Sequence, residues 1–380
     1  MVLSQHSRRE FLQTGLVGTL ALGTAVADTK PPHGDIPAKR VIAGKPRERG
    51  RQYGQLLKDG IAAFLDKEIY KPFIQKPAPK DELLRYAAAC GKVVREVCPI
   101  VYDELEGTAE GSGLTLEEIL LINLHEELYH RGALPKVPHC TAVAVGPPDT
   151  TGATLVGQTW DWMETVYGLS SLVEWRTGGV SVLAYGFPGM WAGAGLSSSG
   201  FALCWTSADL GTKALGARVG IPSYVLIAHL LYQENLAEAL KEAGRDKHAG
   251  WFTFVVGNKD GTLVNIEGSP GGVSIEKTKG QLARVGFGSR EMTRTPTGKP
   301  VKLHERCEKM HAHLTAASGK VDVAKMQQIF ADPKCGISVG KPTIDMMVYD
   351  CTNLSAHLSR GPSYKTEWKT FTFDNGAERR

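Results

Sequence analysis

The stretch from Pro138 to Trp162 restricts the fold of this chain more than any other, because its punctuation specifies a β-hairpin. Cys140 to Val145 is apolar and β-branched, residues 146–152 form a Pro/Asp/Gly loop, and residues 153–159 resume strand character before the end Trp160-Asp161-Trp162. Pairing Gly146 with Ala153 sets Cys140 opposite Thr159. Asp161 then lies one pleat beyond, on the same face and within diagonal reach of Cys140. On this reading the hairpin alone brings a thiol and a carboxylate together.

Upstream of the hairpin the pattern is helical. From Val41 to Arg131 apolar residues recur at helical spacing, at Leu56, Leu57, Ile61, Phe64 and Leu65 and again at Leu83, Leu84, Ala87 and Val94. Thr115-Leu116-Glu117-Glu118 is a capping box that predicts a helix through Leu128. His125 and His130 stand five apart, roughly 140° out of register for zinc ligands that need i and i+4, and no Cys/His spacing elsewhere suits zinc. Downstream the period changes to two. Residues 172–176 and 180–185 flank Gly178-Gly179, residues 201–206 read as a strand, and residues 252–256 and 263–267 flank Asn258-Lys259-Asp260-Gly261. Ser223 and Asn235 are expected to cap two helices, Asn235 with Glu238 as its box partner. Further helices are predicted near residues 303–316 and 322–330, and strands over 346–350 and 355–359. This order implies an α+β fold, with sheets covered by helices in one domain.

The first residues carry an address. Ser7-Arg8-Arg9-Glu10-Phe11-Leu12 is followed by an uncharged Gly/Leu/Val-rich run and by the small-x-small site Ala25-Val26-Ala27, the pattern of a twin-arginine export signal. The run is too short and too rich in glycine to span a bilayer. Residues 1–27 are therefore expected to be a removed signal, not a stable membrane anchor. The twin-arginine translocation machinery is the expected partner, and a periplasmic or secreted protein the product. The remainder divides into a helical segment, residues 28–139, and a Cys-led segment, residues 140–380, within one structural domain. A formal charge of +4 is near neutral at this size, and the absence of a Lys/Arg cluster argues against nucleic acid as a partner. Seven cysteines, an odd number, leave at least one free thiol, and Cys90 and Cys98 lie about 12 Å apart along one predicted helix, too far to bridge.

Three roles compete for Cys140. It can be a small buried residue at the start of a strand. A papain-like nucleophile would need a helix N-terminus at the thiol, whereas a strand follows here. As an N-terminal nucleophile, Cys140 would be freed by cutting the peptide bond after His139, and its new α-amine would serve as base. Such an amine, with a pKa of roughly 7.7–8.0, is matched to a thiol at about 8.5. A rival site is Gly336-Ile337-Ser338-Val339-Gly340, which has the spacing of a serine-hydrolase nucleophile elbow with Asp350 and His357 behind it. The elbow needs a helix after it, and here Pro342 and a strand follow.

A family resemblance bears on this choice. The pieces that carry it are Gly44-Lys45-Pro46 through Gly54, Glu104-Leu105-Glu106-Gly107 through Glu127, Cys140-Thr141 with Gly157-Gln158-Thr159-Trp160-Asp161, residues 195–200 and 220–223, Val256-Gly257-Asn258, residues 267–270, and Val348-Tyr349-Asp350. In this order they resemble the acyl-CoA:6-aminopenicillanic acid (isopenicillin N) acyltransferase family of autoproteolytic N-terminal-nucleophile hydrolases. The resemblance implies a four-layer αββα sandwich, cleavage between His139 and Cys140, Cys140 as nucleophile and Asp161 as the carboxylate that positions the new amino terminus. Thr159, Asn258 and Lys341 are the residues able to support them. It implies no cofactor and no metal, a small-molecule N-acyl substrate, and pairing of the two self-cleaved fragments.

The departures from the family are specific. His139 replaces the usual Gly, and Thr159 an Asn. A His-Thr-Asn-His segment, whose Asn helps to bind the oxyanion, corresponds to Arg284-Val285-Gly286-Phe287-Gly288, and the family's active-site Arg corresponds to Val339, leaving Lys341 as the nearest cation. Loss of an oxyanion donor typically costs about 10²–10³ in rate. Two expectations follow: an exported cysteine amidohydrolase or acyltransferase working through a thioester on Cys140, or a catalytically retired relative serving as a binding or structural module. An exported enzyme seldom meets coenzyme A thioesters, and no basic cluster awaits their phosphates, so water is the expected acyl acceptor. Trp160, Trp162, Trp191 and Trp205 would suit an acyl or aryl group, or serve as core.

Overall fold

The computed structural model describes residues 34–74, 79–131, 140–207, 217–286, 304–338, 340, 342–361 and 367–374. Residues 1–27, the expected export signal, and His139 and Lys341 lie outside the described residues. A short strand, β1 (Lys39–Ala43), precedes helices α1 (Pro46–Leu56) and α2 (Lys58–Phe64), a π-helical stretch (Leu65–Tyr70), and α3 (Lys71–Ile74), α4 (Lys80–Val97), α5 (Pro99–Ser112), α6 (Leu116–Asn123) and α7 (His125–Arg131). The capping box opens α6 as expected, Thr115 Oγ1 accepting from Glu118 N at 3.2 Å and Glu118 Oε2 from Thr115 N at 3.1 Å. The helix does not run unbroken to Leu128. At Asn123 the carboxamide donates back to Ile119 O and across to Gly189 O, both at 2.9 Å, a competition with the backbone that bends helices.

α1 and α5 pack closely because each presents a pair of glycines. A Cβ on Gly50 would stand 1.9 Å from Glu104 O, and one on Gly107 2.1 Å from Arg47 O. The contact is locked by a buried ion pair in which Arg49 Nε donates to Glu104 Oε1 at 2.8 Å, while Tyr232 and Trp191 donate to the same carboxylate.

The strands are β2 (Thr141–Val145), β3 (Leu155–Asp161), β4 (Ser171–Arg176), β5 (Ser181–Gly186), β6 (Ala194–Ser197), β7 (Phe201–Thr206), β8 (Phe252–Asn258), β9 (Leu263–Ser269), β10 (Gly272–Thr278), β11 (Gln281–Arg284), β12 (Thr343–Asp350), β13 (Ser355–Arg360) and β14 (Lys369–Thr372). Among them lie α8 (Ser223–Leu231), α9 (Leu236–Ala243), α10 (Glu305–Ala316) and α11 (Val323–Ala331). Asn235 Oδ1 caps α9 by accepting from Glu238 N, as expected. Ser223 is instead the first residue of α8, behind Pro222, and gives its N–H and hydroxyl to Glu127.

These strands form an eight-stranded sheet in the order β1-β4-β5-β6-β7-β8-β9-β10 and a six-stranded sheet in the order β11-β2-β3-β12-β13-β14. Neighbours are antiparallel except β1 and β4. Alternation along β2, β3 and β12 sorts two cores. Ala142, Ala144, Val156, Met347 and Tyr349 face the first sheet, whereas Val143, Val145, Leu155, Met346 and Val348 pack under α10 and α11 with Met310, Leu314 and Phe330. α8 lies on β6 and β7, and α5 and α6 pack against α8. Helices therefore cover the outside of two facing sheets, which is the four-layer αββα arrangement. From Pro31 onward the chain clusters as a single compact unit. Among the described residues no helix is long and apolar enough to cross a membrane.

Candidate active site

Cys140 is the residue before β2, and the hairpin it opens pairs Thr141 with Thr159 and Val145 with Leu155. The expected register is thus off by one residue, the loop being one residue longer so that Gly146 stands opposite Thr154. A shift of one reverses faces. Cys140 points inward with Ala142, Gln158 and Trp160, while Asp161 points with Thr159 toward α10. Thiol and carboxylate consequently do not meet across one face. Cys140 Sγ makes a long contact, 4.0 Å, to the backbone oxygen of Asp161. The carbonyl of Cys140 accepts from Thr206 Oγ1 at 2.9 Å, which ties the strand start to the first sheet.

Cys140 and Asp161 are both buried. Burial drives the thiol pKa far above its ordinary value, the nearby Asp161 charge adds to the rise, and Arg306 and the Gln158 carboxamide act against it. Asp161 itself is held on both oxygens. Arg306 NH1 donates to Oδ2 at 2.7 Å and Thr343 Oγ1 to Oδ1 at 2.7 Å. Arg306 and Thr343 are the partners of Asp161 that sequence reasoning missed. A signal for Arg306 existed, since Arg306, Met310 and Leu314 recur at i, i+4 and i+8 and all three are buried. An arginine on the apolar stripe of a helix calls for a buried acid.

Thr159 lies beside the strand start, where its Oγ1 accepts from Thr141 N at 3.3 Å. Asn258 does not. It ends β8 at the turn with β9, five residues from Thr253, which lies level with Thr206, so it stands roughly 16 Å along the strand from the thiol's level. His139 and Lys341 lie outside the described residues. The serine rival is undone by its partners. Ser338 Oγ donates to Phe330 O, Asp350 accepts from Thr352 N and Asn353 N in its own turn, and His357 bonds Ser355 and Thr370.

On the thiol's face, Trp160 packs against Phe187, Trp205 and Tyr224 with ring centroids 5.4, 5.2 and 6.4 Å away. Phe64, His125, Trp160, Trp162, Phe187, Met190 and Tyr224 close an apolar recess without room for a water molecule. Trp191 lies elsewhere, stacked 4.7 Å from Trp175. All seven cysteines are free thiols, and no group of three or more His, Cys, Asp or Glu among the described residues could hold a metal ion.

No family model matches the chain. It is 26% identical over 204 residues to the acyl-coenzyme A:6-aminopenicillanic-acid-acyltransferase 40 kDa form of Emericella nidulans, covering 52% of this chain and 54% of that protein, so it spans about half the length of this curated relative. Similar solved structures include the Caenorhabditis elegans ortholog of N-acylethanolamine-hydrolyzing acid amidase (TM-score 0.42, 12% identity, 56% of this chain and 93% of that one). A mutant conjugated bile acid hydrolase from Clostridium perfringens follows (TM-score 0.41, 10% identity, 62% and 97%), with penicillin V acylase from Agrobacterium tumefaciens (TM-score 0.42, 10% identity, 60% and 85%). By sequence the chain is thus similar to an acyl-coenzyme A:6-aminopenicillanic-acid acyltransferase, the family that its motifs resemble.

Proposed function

We propose that the chain is an exported, self-cleaving cysteine amidohydrolase that hydrolyses a linear N-acyl amide through a thioester on Cys140. The supporting observation is the buried strand start, where Cys140 adjoins an aspartate fixed by Arg306 and Thr343. In the uncut chain the thiol is kept protonated by burial and by the Asp161 charge. Cutting before Cys140 supplies an α-amine, whose pKa of roughly 7.7–8.0 suits a base and whose charged form is attracted to Asp161.

In the cycle the amine takes the thiol proton and the thiolate attacks the acyl carbonyl. The ammonium then protonates the leaving nitrogen as the C–N bond breaks, forming the thioester. Water attacks next, gives its proton to the amine, and expels the thiolate as the acid leaves. The Emericella nidulans relative is named for transfer from acyl-coenzyme A to 6-aminopenicillanic acid; for an exported chain, water is the acceptor at hand.

Purified mature protein assayed with N-acyl amino acids, penicillins and acyl-coenzyme A thioesters tests this. Acid release from either of the first two, with none from the thioesters and none in Cys140→Ala, is expected. Efficient acyl-coenzyme A turnover would overturn hydrolysis. A native protein with no fast-reacting thiol and no turnover would be the retired module.

A further inference from the structure

We propose that Gln158 supplies the side-chain donor that binds the oxyanion formed at Cys140, replacing the asparagine that this chain lacks. The proposal rests on the reaction assigned above and adds a catalytic residue to it.

Gln158 pairs with Ala142 across β2 and β3, so it shares the inter-sheet face with Cys140 and is its diagonal neighbour, a spacing that a long side chain bridges. The side chain is fully buried. Its orientation is settled by the first sheet, since Oε1 accepts from Trp205 N at 3.0 Å. That leaves Nε2 as the free end, and Nε2 has no acceptor within hydrogen-bond distance. A buried donor left unmatched costs about 1–3 kcal/mol, so a fold retains one where an acceptor arrives later. An oxyanion two bonds from the Cys140 sulfur, on the carbon that the thiolate attacks, is such an acceptor. The carboxamide already lies close enough to the thiol to pull its pKa down against burial. It is held mid-strand by a cross-sheet hydrogen bond, so it needs no reorganisation as charge develops, the condition under which such donors are effective.

The probe is p-nitrophenyl acetate, whose activated acyl group reports thiol acylation without knowledge of the natural leaving group. Burst kinetics of mature wild type, Cys140→Ala, Gln158→Met and Gln158→Glu decide the matter. Gln158→Glu keeps an acceptor for Trp205 N while replacing the donor, so it serves if Gln158→Met fails to fold.

Wild type is expected to give one burst per protein and Cys140→Ala none. Both Gln158 variants are expected to keep the burst amplitude and half-saturating ester concentration while acylation slows about 10²–10³-fold. A purely structural role would lower the amplitude or the melting temperature without this split. Acylation in the folded Gln158 variants within about threefold of wild type would overturn the donor assignment and leave the reaction standing. A wild type with no burst would overturn the reaction, and the donor with it.

Discussion

At the scale of single residues, Asp161 is a carboxylate without water, and Arg306 and Thr343 make its burial tolerable. Removing one partner of a buried pair strands the other charge, whereas removing both at once is often nearly neutral. Arg306→Met is therefore expected to cost about 3–5 kcal/mol in urea unfolding, and the double variant Arg306→Met/Asp161→Asn to recover most of it. A loss under about 1 kcal/mol in the single variant would mean that the pair is not formed in solution. The same residues show what was legible. The nearness of Cys140 and Asp161 was readable because one hairpin carries both, 21 residues apart, though not the faces to which their side chains point. Arg306, 145 residues from Asp161, was not, because only packing of α10 on the second sheet brings it there.

At the scale of elements, the crossing of α1 and α5 is set by glycines that let backbone meet backbone. Gly107→Ala places a Cβ 2.1 Å from Arg47 O, and a carbonyl cannot swing away as a side-chain tip can. Thermal unfolding should show a loss of about 1–3 kcal/mol, with Arg49 and Glu104 drawn apart. A variant as stable as wild type would contradict the close crossing. Elements with strong signals were readable: the α6 cap, the hairpins β4–β5 and β8–β9, and helices α10 and α11. β1 was mistaken for helix, and β10 and β11 were not foreseen. β1 buries only Ile42 and β10 only Ser274, so neither carries the apolar alternation that announces a strand. The β2–β3 register slipped because loop composition fixes that a turn occurs, not which residues face each other across it.

At the scale of the whole molecule, the helical and Cys-led segments are one folded body. β1 adds a strand to the first sheet beside β4, and Ile61, Phe64 and Leu120 share a core with Trp160 and Trp205. A cut before Cys140 would therefore leave two fragments that stay together through size-exclusion chromatography and separate only in denaturant. The proposed activity depends on that cut, because without it Cys140 has no α-amine and its buried thiol stays protonated. The direct measurement is intact mass with N-terminal sequencing of purified wild type and Cys140→Ala. The prediction is a wild-type fragment beginning Cys140-Thr141-Ala142 and a Cys140→Ala protein in one piece; a wild-type chain that remains uncut through His139-Cys140 would contradict it.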